Sequence, residues 1–170
     1  GDIPGNTDLI LEATQRAWAE LQADIVVFPE LCLTGYPPED LLLRPSLDLR
    51  VREALEKLQS AALPPAMVIG APIRSGGLLY NAALVIEAGQ IRGRYFKRFP
   101  PNYQVFDEKR YFAEGSDTLV LDIKGQPVGI TVCEDLWKDG PVEDAAAAGA
   151  RLILNLNASP YDIDKQARRK

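Results

Sequence analysis

The sequence predicts an α/β fold, a mixed sheet covered by helices, from three observations. Amphipathic stretches at helical spacing alternate with fully apolar strand-like runs early and late in the chain. Short β segments joined by glycine-bearing turns occupy the middle, which places antiparallel neighbours beside parallel ones. With 170 residues, 46% of them hydrophobic, the chain can bury one substantial core and is too short for two ordinary domains.

Each element has its own signature. Gly1-Asp2-Ile3-Pro4-Gly5 reads as a connecting turn, so more chain is expected before it. Over residues 6–23, Ile10, Ala13, Ala17, Trp18 and Leu21 recur at helical spacing behind a cap at Asn6 or Thr7. Residues 25–28 form an apolar strand closed by Pro29. Pro37, Pro38 and Pro45 interrupt any long helix before a second one over 46–61, whose stripe is Leu47, Val51, Leu55 and Leu58. Residues 67–71, 79–87 and 91–96 read as strands, with turns at 74–77 and 88–90. Ser75-Gly76-Gly77 is read as a hairpin turn and not a phosphate cradle, because no lysine or helix start follows it. Another hairpin joins 119–123 to 127–133, and an alanine-rich helix over 140–149 precedes a last strand over 151–157.

Charge narrows the function. A net charge of -5 and a pI near 4.8 exclude a nucleic-acid or membrane-surface partner, since neither polyanion is attracted to such a surface. The terminal Lys165, Arg168, Arg169 and Lys170 read as the solvated face of a helix. Two cysteines without a disulfide or zinc pattern point to a reducing compartment, and no apolar run approaches the roughly 20 residues that cross a bilayer. A cytoplasmic location is expected. The chain has no histidine, so a zinc site would need an unusual carboxylate or thiolate set, and no metal is expected.

Ligands of open α/β sheets bind beyond the carboxyl ends of the strands, where loops vary while the strands stay rigid. Here the strand ends deliver Glu30, Lys97, Cys133 and the group Asn157, Ala158 and Ser159. Without histidine, a Cys133 nucleophile must pass its proton to a carboxylate or an amine. Glu30 can take that proton and return it to a leaving nitrogen. Lys97 suits the negative oxygen that develops on an attacked amide carbonyl, where loss of one donor typically costs on the order of 100- to 1000-fold in rate. Each residue also has an ordinary reading. Cys133, like Cys32, can be an inert core thiol, Glu30 a cap or solvated charge, and Lys97 a surface charge beside a strand.

Four segments then carry a family resemblance. Residues 28–42 (FPELCLTGYPPEDLL), 97–112 (KRFPPNYQVFDEKRYF), 129–137 (GITVCEDLW) and 154–161 (LNLNASPY) resemble, in order and spacing, the carbon-nitrogen hydrolase or nitrilase superfamily. The resemblance implies an α-β-β-α sandwich, formed when two such units pair. It also implies a triad in which Glu30 accepts the proton, Lys97 holds the oxyanion and Cys133 is the nucleophile. LTGYPPEDLL and PNYQVFDEKRYF are similar to one branch in particular, the glutaminase domains of glutamine-dependent NAD+ synthetases.

That closer likeness implies hydrolysis of L-glutamine through a glutamyl thioester, with Tyr103, Glu108, Ser159 and Lys165 as substrate contacts and Glu108 also supporting the triad. It implies that residues 1–170 are one partial hydrolase domain, incomplete at both ends. The segment itself needs no cofactor, and the synthetase domain that uses ATP, Mg2+ and deamido-NAD+ is absent. Identical subunits are expected to assemble into a homo-oligomer. Pro100 departs from the apolar residue usual in that branch and stiffens the approach to Asn102. Two alternatives stand beside this reading: a stand-alone amidase acting on a small amide or carbamoyl compound, and a truncated module without activity.

Overall fold

The computed structural model describes residues 1–103, 106–160 and 163. Helix α1 (Ile3–Leu21) begins before the expected cap at Asn6, because Asp2 accepts the Gly5 N–H at 3.1 Å and Pro4 occupies the first turn. Proline is tolerated there, where an amide hydrogen has no intrahelical partner. The opening residues are thus the start of a helix and not a free-standing turn.

Strand β1 (Ile25–Val27) runs parallel to β2 (Ala66–Ser75), with Ile25 opposite Ala66. Between them lie a 3-10 turn at Glu39–Leu43 and helix α2 (Pro45–Ser60). The expected antiparallel neighbours follow, β3 (Leu78–Glu87) on β2 and β4 (Gln90–Phe96) on β3. The β2–β3 turn needs left-handed backbone at Gly76 (φ 56°) and Gly77 (φ 83°), which glycine adopts without a Cβ clash. A second sheet holds β5 (Leu119–Ile123), β6 (Gln126–Val132) and β7 (Leu152–Leu156) in that order, with β6 and β7 parallel. Helix α3 (Pro141–Ala147) makes that parallel crossover.

The mixed strand pairing expected from the sequence is laid out in two sheets, as an α-β-β-α sandwich requires, each with one parallel and otherwise antiparallel pairing. Alternation along β2 and β3 explains how they stack. Met67, Ile69, Ala82, Leu84 and Ile86 join Ile3, Ile10, Leu47, Val51 and Leu58 in a core under α1 and α2. Their neighbours Val68, Ala83 and Val85 face the other way, against Val128, Ile130 and Val132 of β6. Both faces of the first sheet are buried, which is why its strands read as unbroken apolar runs. Each fully buried Val, Leu or Ile contributes roughly 1.5–3 kcal/mol.

On the outer side of β6, α3 approaches so closely that a Cβ at Gly129 would sit 3.0 Å from the Ala145 Cβ. The order of layers is α1/α2, first sheet, second sheet, α3. The α-β-β-α sandwich thus closes within one chain; pairing of two units is not what creates its layers, because the β5–β6 hairpin folds back onto the first sheet. No helix among the described residues is long and apolar enough to cross a membrane.

Candidate active site

Glu30 lies just past β1 in a turn pressed onto β2. A Cβ at Gly70 would fall 2.3 Å from the Leu31 nitrogen and 2.9 Å from the Glu30 carbonyl carbon, so glycine alone lets this turn rest on the strand. Leu31 takes a left-handed φ of 50° with its side chain fully buried, which reverses the chain and leaves Glu30 only 2% exposed. Lys97 follows β4, its N–H donating to the Asn81 carbonyl at 2.9 Å, and its side chain is completely buried.

These side chains converge. The Lys97 Nζ lies 2.6 Å from Glu30 Oε1 and 2.9 and 3.0 Å from the two oxygens of Glu108. Asn81 Nδ2 donates to Glu30 Oε1 at 2.8 Å and to Glu108 Oε2 at 3.2 Å. The Tyr36 hydroxyl donates to Glu108 Oε1 at 3.0 Å, and the Ala158 N–H to Glu30 Oε2 at 3.1 Å. Two buried carboxylates therefore share one ammonium. A charge in this interior is tolerated only when paired and hydrogen-bonded, and the network supplies both.

Cys133 enters from the second sheet, at the first position of a 3-10 turn (Cys133–Leu136) that ends β6. Its φ of 47° is unusual for a side-chain-bearing residue and lifts the thiol off the strand end; such strain clusters at functional sites. The thiol is within hydrogen-bonding reach of Glu30 and the Ala158 N–H and feels the Lys97 charge, and burial, aided by Glu30 and opposed by Lys97, pushes its pKa up to about 12. At neutral pH it is a thiol whose nearest base is Glu30.

The other titrating groups follow from the same burial. Desolvation alone would pull the Lys97 ammonium down, but Glu30, Glu108 and Cys133 outweigh it and hold its pKa above the ordinary lysine value. Burial raises the Glu108 carboxyl, with Lys97 opposing and Glu30 adding to the rise. Tyr36 is raised by burial and by Glu108 and Glu30, so it acts as a hydrogen-bond donor.

Glu30, Lys97, Cys133 and Glu108 thus meet, although they are scattered through the chain. Tyr103 is half exposed and donates to Glu134 Oε2 at 2.8 Å, beside the Cys133 turn. Ser159 is half-buried next to Ala158. Lys165 lies outside the described residues. Cys32, assigned to the core, sits behind the Glu30 turn with its thiol 3.5 Å from the Gly70 carbonyl, and burial raises it to about 11.

Sequence reasoning missed three participants. Asn81 was hidden in an apolar strand, though a lone amide amid Ala82, Ala83, Leu84 and Val85 is itself a signal. Tyr36, inside the segment 28–42, and the wholly buried Asp135, two residues after Cys133, were given no role. A cavity of about 230 Å³, walled by Tyr36, Pro37, Phe106 and Tyr111, reaches the network at Glu108 and not at the Cys133 sulfur. Among the described residues, no group of three or more cysteines, aspartates and glutamates is placed to hold a metal ion.

A buried thiol thus stands beside a carboxylate and an ammonium carried past the ends of β6, β1 and β4. The carbon-nitrogen hydrolase family model matches residues 1–167. The chain belongs to the carbon-nitrogen hydrolase family. It is 46% identical over 171 residues to the glutamine-dependent NAD(+) synthetase of Xanthomonas campestris, covering 99% of this chain and 31% of that relative. It is 45% identical to that of Thermotoga maritima over 175 residues, covering 100% of this chain and 30% of the other. The chain spans about a third of the length of these curated relatives.

Among solved structures, the glutamine-dependent NAD+ synthetase of Acinetobacter baumannii, in complex with ADP, superposes with a TM-score of 0.95 at 39% identity, over 99% of this chain and 32% of that one. A C145A mutant of the Nesterenkonia AN1 amidase of the nitrilase superfamily superposes with a TM-score of 0.86 at 27% identity, over 97% and 63% of the two chains.

Proposed function

We propose that this chain is the glutamine amidohydrolase portion of a glutamine-dependent NAD+ synthetase, with Glu30, Lys97 and Cys133 as its catalytic residues. The observation that carries the reading is the convergence of the Cys133 thiol with Glu30 and a buried Lys97 in a chain 46% identical to such a synthetase. Residues 1–170 form one partial hydrolase domain. ATP, Mg2+ and deamido-NAD+ belong to a synthetase portion outside it.

In this mechanism Glu30 takes the Cys133 proton as the sulfur attacks the glutamine side-chain carbonyl carbon. Lys97 holds the oxygen that becomes negative. Its Glu30 contact and its forked contact with Glu108 use two of the three ammonium hydrogens, leaving one for that oxygen. Collapse breaks the carbon–nitrogen bond, Glu30 protonates the nitrogen, and ammonia leaves behind a glutamyl thioester. Water then gives its proton to Glu30 and its oxygen to the acyl carbon; glutamate departs and the thiol recovers its proton.

Tyr103, Ser159 and Lys165 are assigned to glutamine recognition. Glu108 was expected to meet the substrate amine as well, but its oxygens already take Tyr36, Asn81 and two Lys97 contacts, which favours its role in supporting Lys97. A cytoplasmic location and a homo-oligomer complete the reading; both cysteines are free.

The amidase likeness supports a second reading, a stand-alone amidase of small amides. Ammonia release from glutamine, acetamide and propionamide, by wild type and Cys133→Ala, separates the readings. Release from glutamine, lost by at least about 1000-fold in the variant, is expected. Preference for the short amides favours the amidase, and equal release by both proteins means an inactive module.

A further inference from the structure

We infer that Asp135 is a positioning residue for the hydrolysis proposed above: its carboxylate ties the turn carrying Cys133 to the strand end carrying Lys97, and so sets how sulfur and ammonium face each other. The inference rests on that functional reading. Asp135 is fully buried, and every hydrogen bond found for it comes from a neutral donor. Its Oδ1 accepts from the Phe99 N–H at 2.9 Å and the Arg98 N–H at 3.1 Å. Its Oδ2 accepts from the Tyr95 hydroxyl at 2.8 Å and the Val132 N–H at 3.3 Å. The Arg98 guanidinium is turned away, to Asp144 at 2.6 Å.

The addresses of these donors give the residue its role. Val132 immediately precedes Cys133, and Arg98 immediately follows Lys97. One carboxylate is therefore bonded to the backbone next to each reactive group, across two sheets whose ladders do not join. Those sheets meet through apolar side chains, and such contacts are non-directional and tolerate sliding. Amide–carboxylate bonds are directional and charge-assisted, so they fix the lateral offset at the rim. The same bonds hold the turn in which Cys133 keeps its left-handed φ of 47°.

The test compares Asp135→Asn, Asp135→Ala and Tyr95→Phe with wild type, as full chains, where thermal melts show each to be folded. Glutamine hydrolysis is measured beside the rate at which iodoacetamide alkylates Cys133. Asparagine keeps an oxygen for Phe99 and Arg98 but turns an NH2 toward the Val132 N–H. Because a misplacement of about 1 Å can cost about 100-fold, kcat should fall about 100-fold in Asp135→Ala and at least about tenfold in Asp135→Asn, with KM within about threefold. Tyr95→Phe, which deletes one donor, should lose about threefold. Alkylation should slow in the same order.

Folded variants with wild-type kcat and alkylation rates, differing only in melting temperature, would overturn the inference, and so would a loss confined to KM. Alkylation requires no glutamine turnover. A wild-type chain that releases no ammonia therefore sinks the functional reading, while the alkylation series still decides the role of Asp135. If Asp135→Ala does not fold, Asp135→Asn and Tyr95→Phe carry the test.

Discussion

The carboxylates of Glu30 and Glu108 are buried against a lysine, whereas that of Asp135 is buried against hydrogen-bond donors that carry no charge. Both arrangements avoid a naked charge in the interior, yet they do different things. Around Lys97 there are two acids for one base, so a proton has more than one place to reside and the group is poised to exchange it. Around Asp135 every oxygen is held by a donor fixed in the backbone or on a ring. The first cluster is suited to chemistry and the second to geometry. Sequence does not separate them, since all three are acids beside apolar strands.

The largest expected effect removes the shared cation. Lys97→Met leaves two buried carboxylates without an ammonium and should cost about 3–5 kcal/mol in urea unfolding, with hydrolysis lost. A loss no larger than that of a surface ion pair would mean that the carboxylates do not depend on Lys97, and the contrast with Asp135 would fail.

Glu108→Gln sharpens the contrast through pH. Burial raises the Glu108 pKa above its ordinary 4.5, so the folded chain holds that proton to higher pH than the unfolded chain does. The stability this contributes is full below pH 4.5 and is lost as pH climbs through the folded-state value. Glutamine does not titrate, so the variant should gain on wild type as pH rises toward neutrality, while hydrolysis falls at least about tenfold as Lys97 loses support. Unfolding midpoints from acid to neutral pH measure this; a variant that loses ground toward neutrality contradicts it.

The smallest effect belongs to the surface. Lys57 and Asp8 join α2 to α1, with side chains 52% and 63% exposed, and Lys57→Ala should cost less than about 1 kcal/mol. A greater loss would show that exposed pairs here rival buried ones.

Much of the fold was legible in the chain. All three hairpins were visible because glycine-bearing turns at Gly76-Gly77, Gly89 and Gly125 separate apolar runs, and the stripe Leu47, Val51, Leu55 and Leu58 announced α2. The start of α1 was misread because Asp2 and Pro4 favour turns and helix starts alike. The layers came only from the family resemblance, which implied the α-β-β-α sandwich; no local feature of the chain gave them. Val68 and Ile69 are equally apolar, and nothing local says that one meets α2 while the other meets the second sheet.

The site divides along the same line. Residue types, strand ends and motif order pointed to Glu30, Lys97 and Cys133 without coordinates. Asn81 and Asp135 did not stand out, because their partners are distant: Asn81 reaches Glu30 across 51 positions, and Asp135 reaches Tyr95 across 40.

By itself, the order of amino acids determined the helices, the hairpins, the family and which polar residues end the strands, since these depend on periodicity, turn chemistry and motifs confined to short stretches. Tertiary structure alone decided that the sandwich closes within one chain, that two acids share one lysine, and that the Cys133 thiol holds its proton up to about pH 12. Burial and the field of neighbouring charges set those properties, and both come from residues far away along the chain.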